Sequence, residues 1–376
     1  MGRNNKRDAL NIIFHIPYKL DSVGSSGRMM RPYNLIKAFR EEGHNLYLIE
    51  GDWKERQIQI KQLKESIKSG EKFDLLYSEA STKPTLIAEK DNIPKFPFID
   101  FQLFKLCKLN NIKSSLFYRD IYWNLKEYKE YTSIFKRTIL KCLYYLDLSM
   151  YNKYIDILYL PSMEMYEYIP FKFNGKVKVL SPGANISMRS KNNKNKKLNF
   201  FYVGGLGMNY DLELLCEVIV DTPEIKMTIC CRKEDFEKEK ERYKKFIERG
   251  IKIIHLEGKK LEEEYSKMDI GILYFKPSVF RRFASPLKLY EYVGQGLPIL
   301  ASKNTLAGKI VEKVKIGWSL EYEKEALESF IQQLLKNRDD FINKKISLIK
   351  KRGNFTWIKR TQQVITDFEE LKNEET

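Results

Sequence analysis

Short apolar runs bounded by Gly, Pro or Asp alternate along this chain with longer segments whose apolar residues recur at helical spacing. That alternation is the signature of β-α-β units and of parallel sheets covered by helices. It predicts strands near 10–16, 45–50, 73–78, 113–118 and 155–160, with helices near 31–42, 54–69, 101–110 and 126–152. From Asn174 to Lys197 the pattern pauses in Lys-Val-Lys-Val-Leu, Ser181-Pro182-Gly183 and a polar run starting at Lys191, too hydrophilic for a core. A second set follows, with strands near 198–203, 225–230, 251–255, 269–274 and 297–301 and helices near 210–220, 233–249, 260–267 and 286–294. The stretch 323–373 is helical and polar, broken at Gly353.

The expected class is therefore α/β, with two doubly wound Rossmann-like domains. The boundaries expected are 1–185, 186–352, and a C-terminal helix over 353–376 with the option of crossing back to the first domain. A length of 376 residues suits two domains of ordinary size. In open parallel sheets ligands bind beyond the C-terminal strand ends, so chemistry is sought in the loops after strands and in the cleft expected between the two domains.

Composition narrows the classes. Hydrophobic residues make up 43% and charged residues 31%, which excludes a disordered chain and a polytopic membrane protein. Lys and Arg exceed Asp and Glu by 67 to 50, a formal charge of +17 that favours anionic partners: phosphate-bearing substrates, nucleic acid or an anionic membrane face. Five cysteines without C-x-x-C spacing argue against a disulfide framework and a zinc site, and fit a reducing cytoplasm. With three histidines and no H-E-x-x-H, no metal centre is expected. The apolar stretch Leu10–Ile16 reads as a strand rather than a leader, and no run approaches the ~18 apolar residues of a membrane span.

The most informative segment is Ser285-Pro286-Leu287-Lys288-Leu289-Tyr290-Glu291-Tyr292-Val293-Gly294-Gln295-Gly296. Ser285 as N-cap, Pro286 in the first turn and Gly294 and Gly296 at the end define a short helix whose opening amides suit a phosphate. Lys288 lies in that turn, and Lys276, Arg281 and Arg282 precede it, four cations within thirteen residues. Glu291, three residues past Lys288 on the same face, is placed to accept two hydrogen bonds from a vicinal diol such as a ribose edge; the alternative is a surface ion pair with Lys288. Two further loops suit a closely approaching ligand. After the strand Phe200–Val203 comes Gly204-Gly205-Leu206-Gly207, in which Tyr210 takes the third glycine position of G-x-G-x-x-G; these glycines equally make a tight turn. In the first domain, Gly24-Ser25-Ser26-Gly27-Arg28 precedes a helix expected to begin near Pro32. The strand ending at Tyr118 leads into Arg119-Asp120-Ile121-Tyr122-Trp123, where the charged pair suits a polar site or a mutual salt bridge, and the aromatics suit a sugar ring. No D-x-D triplet, G-x-S-x-G elbow or P-loop occurs, which removes α/β-hydrolases and P-loop NTPases and the usual two-carboxylate grip on a diphosphate-bound metal.

The segment S-P-L-K-L-Y-E-Y-V-G-Q-G-L-P-I-L-A-S resembles the donor-site helix of GT-B glycosyltransferases, especially the large GT4-like retaining group. The Gly24–Gly27 loop, E-E-G-H-N-L, V-L-S-P-G-A-N and V-G-G-L-G fall in the order that family uses. The resemblance implies two domains facing across a cleft and metal-independent transfer, with retention, of a sugar from a UDP- or GDP-sugar to a glycan or lipid-linked saccharide, as in cell-surface polysaccharide or glycoconjugate assembly. It implies Glu291 on the donor ribose, and Lys288 and the amides from Leu287 on the diphosphate. Gly205 and Gly207 would lie beside the donor, and Gly24 to Gly27 beside phosphate or acceptor. Three departures stand out. Phe283 replaces a Glu commonly eight residues before the ribose Glu. The loop Gly205–Tyr210 lacks the usual Arg and Lys, for which Arg281, Arg282 or Arg232 are the candidate replacements. Arg119-Asp120 stands where many relatives carry His beside Asp, leaving Asp120 and Arg119 as the first-domain candidates for catalysis.

Other readings stay open. The segment Phe135–Tyr154, basic at its start and apolar on two stripes, suits an anionic membrane surface, with a peripheral place on the inner face of the cell membrane, or simply a core. A nucleotide-sugar epimerase or phosphorylase would use the same frame. A nucleic-acid binder would use the charge alone, but the lysines are scattered and no such motif appears.

Overall fold

The structure, a computed structural model, describes residues 9–20, 27–89, 91–125, 133–188, 197–207 and 209–375. The chain divides into two compact units, Met1–Gly183 with Trp357–Thr376, and Ala184–Thr356.

In the first unit the order is β1 (Asn11–His15), α1 (Gly27–Glu41), β2 (Asn45–Ile49), α2 (Trp53–Lys68), β3 (Leu75–Glu79), α3 (Ile99–Leu109), β4 (Lys113–Phe117), α4 (Ile134–Tyr154), β5 (Ile157–Leu160) and β6 (Lys176–Val179). Among the described residues these strands form a parallel sheet in the order β2-β1-β3-β4-β5-β6. β1, β3, β4 and β5 are almost wholly buried, as runs covered by helices on both faces must be. α1 starts at Gly27 and carries Pro32 inside, five residues earlier than its proline suggested. The Lys176–Val179 run, read in the sequence as part of the polar junction, is an edge strand whose two lysines pair with Asp367, Glu370 and Glu374 of the C-terminal helix.

The second unit runs β7 (Leu198–Val203), α5 (Glu213–Val220), β8 (Ile225–Cys230), α6 (Lys233–Ile247), β9 (Lys252–Ile254), α7 (Gly258–Tyr265), β10 (Ile270–Leu273), α8 (Val279–Phe283), α9 (Leu287–Gln295), β11 (Ile299–Ser302), α10 (Leu306–Val314), β12 (Gly317–Leu320), α11 (Lys324–Lys336) and α12 (Arg338–Lys351). Its sheet order, again parallel, is β12-β11-β10-β7-β8-β9. Strand order reverses between β7 and β10, the topological switch point at which such sheets bind ligands. In the first unit the reversal lies between β1 and β3. The last helix, α13 (Trp357–Glu375), belongs to the first unit. Gly183 is a glycine because the backbone and ring of Trp357 lie against it, with a Cβ there only 2.7 Å from the Trp357 Cα.

Candidate functional site

At the switch point of the second unit, the loop after β7 and the start of α9 are tied together by Tyr292. The Val203 amide donates to the Tyr292 hydroxyl at 3.0 Å. The Tyr292 ring lies over β10, where Gly271 leaves room for it: a Cβ would approach the ring to 2.5 Å. The two segments singled out in the sequence are therefore brought to the same strand ends.

α9 opens differently from the expected cap. Pro286, with an extended ψ of 128°, is the N-cap, and Ser285 lies before it and shares a hydrogen bond with the Tyr290 hydroxyl at 2.9 Å. No side chain caps the helix. The amides of Leu287 and Lys288, which have no intrahelical acceptor at a helix start, thus keep their capacity for an anion, as does the positive dipole end. The helix closes on Gly296 in the left-handed region at φ 68°. Gly294 does not end it; it sits inside the last turn because the Asn185 carbonyl passes 2.3 Å from where its Cβ would be.

Lys288 and Glu291 form a half-exposed ion pair at 2.7 Å, the surface pairing weighed as the alternative for Glu291. The same carboxylate oxygen, Oε2, accepts from the buried Tyr265 hydroxyl at 3.2 Å. Arg281 and Arg282 lie on α8, capped by Ser278. The Arg281 guanidinium stands over the Phe275 ring at 4.5 Å and the Tyr210 ring at 5.5 Å and donates to the Asn209 carbonyl, so it pins the glycine loop to the segment after β10. Arg282 and Lys276 are exposed. Arg232 caps α6 by position, with its guanidinium 3.2 Å from Asp235 and 72% exposed. Gly207 requires its glycine at φ 135°, and its carbonyl accepts the Tyr210 amide at 2.7 Å, closing a tight turn; Gly205 faces the Tyr210 ring. Phe283 is buried, edge-on to Phe280.

In the first unit the strand ends carry a different arrangement. Arg31 donates to Glu79 Oε1 at 2.8 Å and to the Tyr77 hydroxyl at 3.2 Å, while its guanidinium lies 3.5 Å from the Phe117 ring centre. Arg119 donates to Glu79 Oε2 at 3.1 Å and to the Tyr18 hydroxyl at 3.2 Å. Asp120 is half-buried; burial pushes its carboxyl up to about 6 against the neighbouring Arg119 charge and the Tyr122 amide. Trp123 is corrected: it is 4% exposed, its indole donates to the Tyr118 hydroxyl, and its face is stacked on Tyr144 at 4.9 Å, so no face remains for a sugar. Tyr122, beside it, is exposed. Gly27 and Arg28 open α1, and Gly24, Ser25 and Ser26 lie outside the described residues.

No family model matches the sequence, and no curated protein matches it. Solved structures do match. A sucrose-phosphate synthase from Thermosynechococcus elongatus superposes with a TM-score of 0.62 at 12% identity, covering 97% of this chain and all of that one. HepE from Anabaena, solved with UDP and glucose, gives 0.61 at 12% identity, covering 96% and 100%. A glycosyltransferase from Rickettsia africae gives 0.61 at 14% identity, covering 97% and 99%. The fold is GT-B.

Within this GT-B frame, one buried polar cluster escaped sequence reasoning. His15, at the end of β1, bonds Ser78 Oγ through Nδ1 at 2.8 Å and Asp100 Oδ1 through Nε2 at 3.1 Å. That serine, histidine and aspartate have the connectivity of a hydrolytic triad, but all three are within 2% of full burial and Asp100 is bonded by Arg56 at 3.0 Å. Although burial pushes the Asp100 carboxyl up, Arg56 and His15 outweigh it and hold it below the usual range. A nucleophile needs solvent and substrate access, so the cluster is structural. Among the described residues no group of three or more His, Cys, Asp or Glu is placed to hold a metal ion, and no helix is long and apolar enough to cross a membrane.

Proposed function

We propose that this chain is a retaining glycosyltransferase of the GT4-like group, moving a hexosyl unit from a UDP- or GDP-sugar to a glycan or lipid-linked saccharide in cell-surface polysaccharide or glycoconjugate assembly. One observation carries the reading: at the switch point of the second unit an uncapped helix start carries Lys288 and Glu291, and Tyr292 of the same helix is bonded to the end of β7, from which the glycine turn leads on. HepE, of the same fold, has been solved with UDP-glucose as well as with UDP.

In this reading the diphosphate sits on the amides of Leu287 and Lys288 and on the Lys288 ammonium, with Ser285, Arg281, Arg282 and Arg232 as the nearby polar and basic groups. Gly205 and Gly207 let the backbone approach the donor. Glu291 accepts from the ribose diol. The developing negative charge on the leaving group is met by fixed dipoles and cations rather than by a metal. Asp120 and Arg119, with the Gly24 to Arg28 segment, orient the acceptor. No protein nucleophile takes part; a leaving phosphate oxygen accepts the proton of the acceptor hydroxyl as the new glycosidic bond forms on the retained face.

The test is a panel of nucleotide sugars scored for thermal stabilisation and nucleoside diphosphate release. One UDP- or GDP-sugar should stabilise the chain by about 2.7 kcal/mol at a hundredfold excess over Kd. It should release its diphosphate only with acceptor present and yield a new glycoside of unchanged anomeric configuration. Epimerised donor, or sugar phosphate formed from inorganic phosphate, would replace this reading with the epimerase or phosphorylase one; no binding at all would end it.

A peripheral place on an anionic membrane face belongs to the same proposal, supported by α4. Its first turns carry Ile134 and Phe135 at 75% and 78% exposure, interleaved with Lys136, Arg137 and Lys141, and no acidic residue occurs between Ile134 and Leu146. Apolar insertion and attraction to anionic headgroups act together in such a helix. Sedimentation with vesicles containing phosphatidylglycerol should pull down the chain, and Ile134→Asp with Phe135→Asp should release it. Equal binding to neutral vesicles, or none to either, removes the membrane from the proposal.

A further inference from the structure

Glu291 is held by two donors of contrasting character. Lys288 reaches it from the preceding turn of α9 on a flexible stem that is 31% exposed. Tyr265, the last residue of α7, reaches it from below, with its ring fixed edge-on between Phe201 at 5.1 Å and Tyr292 at 6.2 Å. Both donate to the same oxygen, Oε2, at 2.7 and 3.2 Å. Among the described residues no hydrogen bond is formed to Oε1. An ionised carboxylate offers about four acceptor positions, so saturating one oxygen with protein donors leaves the other for a ligand.

We propose that Tyr265 is a positioning residue for the donor: it locks the Glu291 carboxylate through Oε2 so that Oε1 faces the vicinal diol of the donor ribose, and it keeps that lock when Lys288 moves to the diphosphate. The proposal rests on the donor-site reading given above. Two physical contrasts assign the roles. An ammonium on a four-carbon stem exchanges one anion for another readily, and a diphosphate carries more charge than a single carboxylate. A phenol with two torsions, packed between two rings, does not move with it. Burial, with the Glu291 charge beside it, pushes the Tyr265 phenol well above its ordinary range, so it remains a donor throughout the working pH range.

The experiment compares UDP and GDP with their 2′,3′-dideoxy counterparts by titration calorimetry on the full chain. The wild type should bind the ribosyl form of its nucleotide at least tenfold more tightly than the dideoxy form. Tyr265→Phe keeps the ring packing and removes only the hydroxyl; it should shrink that preference three- to tenfold while leaving the dideoxy affinity within twofold. Lys288→Met should instead weaken both forms by a similar factor. If Tyr265→Phe does not fold, Glu291→Asp, which withdraws the carboxylate from the phenol by one methylene, should give the same ribose-specific loss. An unchanged preference in Tyr265→Phe, or an equal loss for both forms, overturns the positioning role while leaving the donor site standing. If the wild type binds neither nucleotide, the donor-site reading falls and the inference with it. A wild type that binds but ignores the ribose hydroxyls overturns the role assigned to Glu291 and Tyr265 together.

Discussion

The two units share a parallel, doubly wound design, yet they treat their switch points in opposite ways. In the first, the charged groups at the strand ends are turned inward and paired with one another: Arg31 and Arg119 close on Glu79, Arg56 and His15 on Asp100. In the second, the groups at the equivalent place stay half-exposed, and the helix start among them has no side-chain cap. A fold of this kind supplies a place where ligands can bind; the degree to which local side chains neutralise each other sets how much fixed charge that place offers a ligand.

The sharpest way to break this contrast is Glu79→Ala. It leaves two arginine side chains without their shared buried carboxylate, and losing one partner of such a network costs about 3–5 kcal/mol. Urea unfolding of the first unit should shift by that amount. Glu291→Ala should do the reverse, weakening nucleoside diphosphate binding about 10- to 100-fold, the equivalent of ~1.5–3 kcal/mol for hydrogen bonds to a charged group. Its unfolding free energy should change by only about 1–2 kcal/mol, the half-exposed ion pair contributing little and most of the loss coming from the buried Tyr265 hydroxyl left without its acceptor. Equal stability losses in the two variants would erase the distinction.

A third measurement concerns a buried carboxylate that has no cationic partner among the described residues. Asp147 accepts the Thr85 amide at 2.7 Å through Oδ2, and burial pushes it up to about 7 despite that bond. Because its proton is held more tightly in the folded state than in the unfolded one, stability from this group is fully present below about pH 4. It is lost as pH rises through 7, at about 1.4 kcal/mol per pH unit. Asp147→Asn should flatten unfolding free energy against pH between 4 and 7, with Asp120, shifted up to about 6, leaving a smaller residual slope in the same direction. The smallest effect is expected at the glycine turn. Gly207→Ala meets a φ of 135° and should cost about 1–2 kcal/mol, whereas Gly205→Ala, facing the Tyr210 ring at 3.3 Å and the Asp235 carboxylate at 3.6 Å, should cost less.

Much of this was legible beforehand. The strands with continuous apolar runs, such as Leu75–Glu79 and Phe200–Val203, announce themselves because both faces are covered. The helix from Leu287 was visible through its proline and its glycines, although the cap was misplaced by one residue and Gly294 answers to packing instead of termination. Lys176–Val179 and Gly317–Leu320 were missed as strands: the first alternates lysine with valine at an edge, and the second opens on a glycine required by the Ile299 carbonyl 2.0 Å away from its Cβ position. The buried ionic cluster had no local signature at all, since Arg31 and Glu79 lie 48 residues apart and His15 and Asp100 lie 85 apart. Nor did the aromatic run around Trp123 reveal that Tyr144, from a different helix, would occupy its face.

The return of α13 has a consequence for how the molecule is made. Val364, Ile365 and Phe368 are buried in the first unit, Asp367 bonds the Tyr159 hydroxyl and the Lys178 ammonium, and Gln363 donates to the Val179 carbonyl. These partners emerge from the ribosome only after all of Ala184–Thr356 has been synthesised. Translation therefore completes the later unit first, and the earlier one must wait, with part of its apolar surface uncovered, for its own final helix to arrive.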